Sequence, residues 1–139
     1  MDERIKAVQS MQDCIQAHLN ENITLADLAE AAHFSPWYSA RIFKEMTGYS
    51  PADYIRRMQL SASALRLRDE KIKVTDAAMD AGFVSVDGYQ RAFKREFGTN
   101  PKEYADNPIP IPLFTAYGVK FRSTWKEVED VKEIQNVFI

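Results

Sequence analysis

Arg41 with Lys44 and Arg91 with Lys94 form two basic pairs, each three residues apart, and the second lies fifty residues after the first. A guanidinium offers two parallel donors that fit the O6 and N7 acceptors of guanine, and an ammonium one turn further along a helix meets phosphate oxygens. That is recognition chemistry, not bond making. No nucleophile, base and orienting acid fall at a recognisable spacing, and there is no glycine-rich phosphate loop, so an enzyme is not expected. Cys14 and His18, one helical turn apart, would make half a metal site, but no second ligand pair has suitable spacing, so neither metal nor cofactor is expected. As the single cysteine, Cys14 cannot form an internal disulfide, and it is expected to be a buried thiol.

The elements that must hold these cations are duplicated. Ile23, Leu25, Asp27, Ala29, Ala32 and Phe34 recur forty-nine places later as Ile72, Val74, Asp76, Ala78, Ala81 and Phe83. From Arg41 the offset becomes fifty: Arg41, Phe43, Lys44, Gly48, Pro51 and Tyr54 return as Arg91, Phe93, Lys94, Gly98, Pro101 and Tyr104. The extra residue falls in a turn, where length changes cost least. A short helix, a tight turn and a longer basic helix is the helix-turn-helix pattern, here in tandem.

Local signals set the boundaries. Ile5, Val8, Met11, Ile15 and Leu19 follow a helical period, predicting a support helix over 3–19. Thr24 with Asp27 makes a capping box. Ser35-Pro36, Ser50-Pro51 and Asn100-Pro101 each place a cap before a proline suited to the first helical position, and Gly48 stops the helix begun at Pro36. The helix from Pro51 should run to about Arg68 and hold the two units apart. His33 and Gly82 occupy equivalent turn positions that favour a left-handed backbone, so His33 is expected to be a turn residue, not a ligand or base. After Tyr104 the run Asn107-Pro108-Ile109-Pro110-Ile111-Pro112 cannot continue a helix and suggests a boundary. Beyond it, Leu113 to Phe121 is strand-like in content, and the chain ends on apolar Val137-Phe138-Ile139. The expected architecture is all-α: two helix-turn-helix units (about 23–49 and 72–98) joined by a linker helix (about 51–69) within 1–106, followed by an extended tail over 107–139.

Composition sets limits. The 139 residues, 45% hydrophobic, can build one or two small cores. The sequence has neither an apolar run of membrane-spanning length nor a secretory pattern at its start, so the cytoplasm is the expected location and no membrane partner is expected. Net charge is −2, unusual for a DNA binder, yet the stretch from Arg41 to Glu96 is +3, with eleven basic and eight acidic residues. Phosphate attraction therefore has to come from placement on one face.

The stretch from Asp80-Ala81-Gly82-Phe83 through Arg91-Ala92-Phe93-Lys94, Phe97-Gly98 and Pro101-Lys102-Glu103-Tyr104 resembles the DNA-binding domain of AraC/XylS-type bacterial transcription regulators, and the likeness covers about residues 5–105. The tail from Asn107 to Val119 is similar to the connector that precedes a GyrI-like effector-binding domain in some relatives. The resemblance implies a transcription regulator whose partner is double-stranded DNA, with RNA polymerase as a second candidate and a small-molecule effector only where a further domain exists. It implies that the first unit presents Pro36, Trp37, Tyr38, Ala40, Arg41 and Lys44 to the major groove, and the second Val86, Asp87, Gly88, Gln90, Arg91 and Lys94. Phe34, Ile42, Phe43 and Met46 would anchor the first reading helix, and Phe83, Tyr89, Phe93 and Phe97 the second. Three residues depart from the pattern. Ser39 replaces a larger apolar residue, which would loosen the first helix. Gly88 removes a side chain from the reading face at a cost of about 1 kcal/mol relative to alanine. Asp87 suits the helix start but repels phosphate unless it accepts a bond from cytosine N4.

Overall fold

The computed structural model describes residues 2–121. Its elements are α1 (Glu3–Ala17), α2 (Leu25–Ala32), α3 (Pro36–Thr47), α4 (Pro51–Asp69), α5 (Val74–Asp80), α6 (Val86–Phe97) and α7 (Pro101–Asp106). Side-chain caps set most of the starts. Thr24 and Asp27 form the reciprocal box on α2, and Ser35, Ser50, Ser85 and Asn100 each accept the N–H three residues on. Lys73 leads into α5 with no side-chain cap.

The copies share their turn geometry. His33 adopts the left-handed conformation (φ 60°), as does Gly82 (φ 80°), and the N–H of the next residue, Phe34 or Phe83, returns to the carbonyl of Ala29 or Ala78. With Ser35 and Ser85 as equivalent caps, the residue that changes the repeat offset is Val84, fully exposed in the second turn. At Gly82 a side chain is excluded on a second count: a Cβ there would lie 2.9 Å from Gln59 Nε2 and 3.2 Å from the Glu21 carbonyl.

Two apolar cores result. Val8, Met11 and Ile15 of α1 close over Leu28, Ile42, Phe43, Tyr54 and Ile55 in the first. In the second, Leu60, Ala64 and Leu67 of α4 meet Ala77, Tyr89, Phe93, Phe97 and Tyr104. Helix α4 contributes to both, so it is a shared wall and not the bare spacer expected from sequence. Gln59 Nε2 donates to the carbonyls of Leu19 (3.3 Å) and Glu21 (3.0 Å), and Arg66 pairs with both Glu70 and Asp80. Burial pushes the Tyr89 phenol up to about 12, against the opposing effect of its bond to Ser63 Oγ, so it stays a donor at ordinary pH.

Residues 108–118, strand-like in apolar content, lie in no helix and pair with no strand among the described residues; Leu113 N–H closes a tight turn on the Ile111 carbonyl (3.0 Å), and 119–121 form a helical turn. Ile111 and Leu113 pack on the second core, while Phe114, Ala116 and Val119 pack on the first. Backbone donors that a strand would satisfy in a ladder go to side chains instead: Phe114 N to Ser61 Oγ (2.7 Å), Val119 N to Gln12 Oε1 (2.8 Å) and Lys120 N to Gln9 Oε1 (3.2 Å). The apolar end Val137-Phe138-Ile139 lies outside the described residues.

Ser39 is completely buried, and its Oγ has no hydrogen-bond partner among the described residues. The neighbouring Ile42 and Phe43 are buried as well, so the departure costs polar satisfaction and does not expose the helix. An orphaned buried hydroxyl costs about 1–3 kcal/mol, and alanine is the better helix former. Ser39→Ala is therefore expected to raise stability by about 1 kcal/mol, read as a higher urea midpoint at unchanged slope.

Candidate nucleic-acid interface

The candidate surface lies on α3 and α6. Each is fixed from behind, by Ile42 and Phe43 in the first and by Tyr89, Phe93 and Phe97 in the second. On α3 the solvent side carries Pro36, Trp37, Arg41 and Lys44. Trp37 is 71% exposed, and the Arg41 guanidinium lies 5.6 Å from its ring centroid while Nε donates to Glu45 Oε1 at 3.1 Å. On α6 the exposed side chains are Asp87, Gln90, Arg91, Lys94 and Arg95, the first four facing a shallow concavity shared with Lys102, Glu103 and Asp106. Among the described residues, Arg91, Lys94 and Gln90 have no side-chain partner, and neither does Lys44.

Several expected residues sit differently. Tyr38 is only partly exposed and packs on the first core, with Phe34 edge-on at 5.1 Å. Val86 likewise packs on the second core. Ala40 and Gly88 are half-buried. Phe34, expected as an anchor, is 37% exposed. Gly88 donates its N–H to Ser85 Oγ, the capping bond that Tyr38 makes to Ser35 in the first unit, so the second reading helix lacks the side chain the first carries there. Asp87 occupies the first turn of α6. Two residues were not anticipated. Glu45 holds Arg41 in the unbound protein, a pairing implicit in their spacing of four. Lys102 adds a cation beside Arg91 and Lys94, brought there by the fold of α7.

Cys14 Sγ lies 3.9 Å from His18 Nδ1, and Cys14 is half-buried where full burial was expected. Burial, with the nearby Asp27 and Glu21 carboxylates, pushes its thiol up, away from the thiolate a metal would need. No group of metal-ligating side chains occurs among the described residues, and no helix there is long and apolar enough to cross a membrane.

Known proteins share this design. A family model described as a helix-turn-helix domain matches residues 28–107. The regulatory protein SoxS of Escherichia coli is 32% identical over 99 residues, which is 71% of this chain and 92% of SoxS. A solved transcriptional regulator assigned to the AraC family, from Rhodopseudomonas palustris, aligns with a TM-score of 0.66 at 27% identity, covering 75% of this chain and 98% of that one. The DNA-binding domain of the transcriptional factor AdpA, solved in complex with a target DNA, shares the fold with a TM-score of 0.69 at 23% identity, over 73% of this chain and 91% of that one. The chain belongs to the AraC-type helix-turn-helix family of DNA-binding transcription regulators.

Proposed function

We propose that this regulator reads specific duplex sequences by placing α3 and α6 in two successive major-groove segments of a promoter. The supporting observation is that both helices present arginine and lysine to solvent at equivalent positions while their opposite faces are locked in separate cores. Arg41, Arg91 and Gln90 contact base edges, Trp37 packs against the groove wall, and Lys44 and Lys94 meet phosphates. Pro36 and Asp87 flank the helix starts. Tyr38, Ala40, Val86 and Gly88 shape the surface from behind. Residues 1–106 form the reading unit and 107–139 the connector. On a promoter the bound protein meets RNA polymerase, and a small-molecule effector acts only through a further domain. Its workplace is the cytoplasm.

A fluorescent duplex carrying a selected site, titrated at two or more salt concentrations, tests the reading. Affinity is expected to fall linearly with salt on logarithmic axes. Lys44→Ala and Lys94→Ala should each reduce that slope by about 1 and weaken specific and random duplexes alike. A helical protein-interaction module would show no slope and no preference between duplexes.

A further inference from the structure

The residues at which the two copies differ are the ones that join them. Arg57 has Asn107 as its counterpart, Glu96 has Met46 and Tyr49 has Thr99. In the fold these unmatched residues meet. Arg57 Nη1 donates to Glu96 Oε1 at 3.0 Å and to Oε2 at 3.4 Å, while its Nε donates to Asp53 Oδ2 at 3.1 Å. Its guanidinium lies 5.5 Å from the centroid of the Tyr49 ring. Tyr49 follows the last turn of α3 and Glu96 lies in the last turn of α6, so one cation on α4 touches the C-terminal ends of both reading helices. Both ends carry the negative pole of a helix dipole, which a guanidinium favours. A planar fork with several fixed donors can hold three partners in one geometry, which a lysine could not.

We infer that Arg57 is a positioning residue for sequence reading: it fixes α6 relative to α3 and thereby sets the half-site spacing the protein accepts. This rests on the DNA reading proposed above. Inserting one base pair between half-sites moves the second by about 3.4 Å along the axis and turns it by about 34°. A clamped pair of heads cannot follow such a move, whereas a loosened pair can follow it in part, at the cost of affinity for the best spacing.

The test compares wild type with Arg57→Gln and Glu96→Gln, the second weakening only the arm that reaches α6 by turning a charge-assisted bond into a neutral one. In the unbound protein, spin labels at Lys44→Cys and Lys94→Cys in a Cys14→Ser background should give one narrow distance, broadened by either glutamine. With duplexes whose spacer is changed by one or two base pairs, wild type should lose about ten- to a hundredfold in affinity, the equivalent of one bidentate base contact. Either glutamine variant should flatten that profile to within a few-fold. Thermal melting of each variant establishes that it is folded. Narrow distances in both variants would overturn the clamp, as would an equal loss at every spacing, which assigns Arg57 to phosphate. Broadened distances together with a wild type indifferent to duplex sequence would overturn the proposal through its premise, the DNA reading.

Discussion

Phe93→Ala is expected to lower unfolding free energy by about 3–5 kcal/mol, the usual cost of removing a buried aromatic ring and leaving a cavity. The ring is completely buried at the centre of an aromatic group, with Phe97 at 4.7 Å, Tyr89 at 5.8 Å and Tyr104 at 6.0 Å between centroids. These neighbours come from α6 and α7 and close on α4, so nothing nearby can collapse into the space without moving a helix. Small domains carry only about 5–15 kcal/mol in total, so the variant should be close to unfolding at physiological temperature. Because the first core is built from other residues, hydrogen exchange should show α5, α6 and α7 losing protection before α1 and α2. An unfolding free energy from urea titration within about 1 kcal/mol of wild type would mean that the second core does not depend on this ring.

What the sequence revealed was local. Thr24, Ser35, Ser50 and Asn100 announce helix starts because a cap needs a side-chain oxygen three residues before the N–H it accepts, and that relation involves no other part of the chain. His33 was legible for a similar reason, since few residues other than glycine tolerate a left-handed turn. The repeat supplied the tandem architecture and located both reading helices. Long-range facts were not legible. The apolar content of Leu113 to Phe121 fits a pleated strand or any irregular segment lying on a core, and only the position of Ser61, fifty-three residues away from Phe114, and of Gln12 and Gln9 decides between them. Likewise α4 reads as a spacer from its length, whereas Gln59 and Arg57 tie both heads across it through partners up to forty residues distant. The half-burial of Tyr38 and Val86 was not legible either, because it depends on which core each helix lies against.

Combined substitution of Arg41 and Arg91 by alanine is expected to cost about 2–6 kcal/mol in binding to a selected site, about 1–3 for each bidentate base contact, with little interaction between two residues on separate heads. The singles should be unequal. Arg41 is held before binding by Glu45 at 3.1 Å and by the Trp37 ring, so reaching a base means giving up an ion pair, although both groups of that pair are more than half exposed and the pair itself is worth little. Arg91 has no side-chain partner to give up among the described residues, and its full contact energy is available on binding. Arg91→Ala should therefore weaken specific binding more than Arg41→Ala. Glu45→Ala should tighten binding to every duplex, because it removes both the competing acceptor and a negative charge facing phosphate. Both arginines are exposed, so neither substitution should move the melting temperature appreciably. If each single variant loses as much on random duplex as on the selected site, the guanidinium groups meet phosphates, and base reading must then come from Gln90 and Trp37.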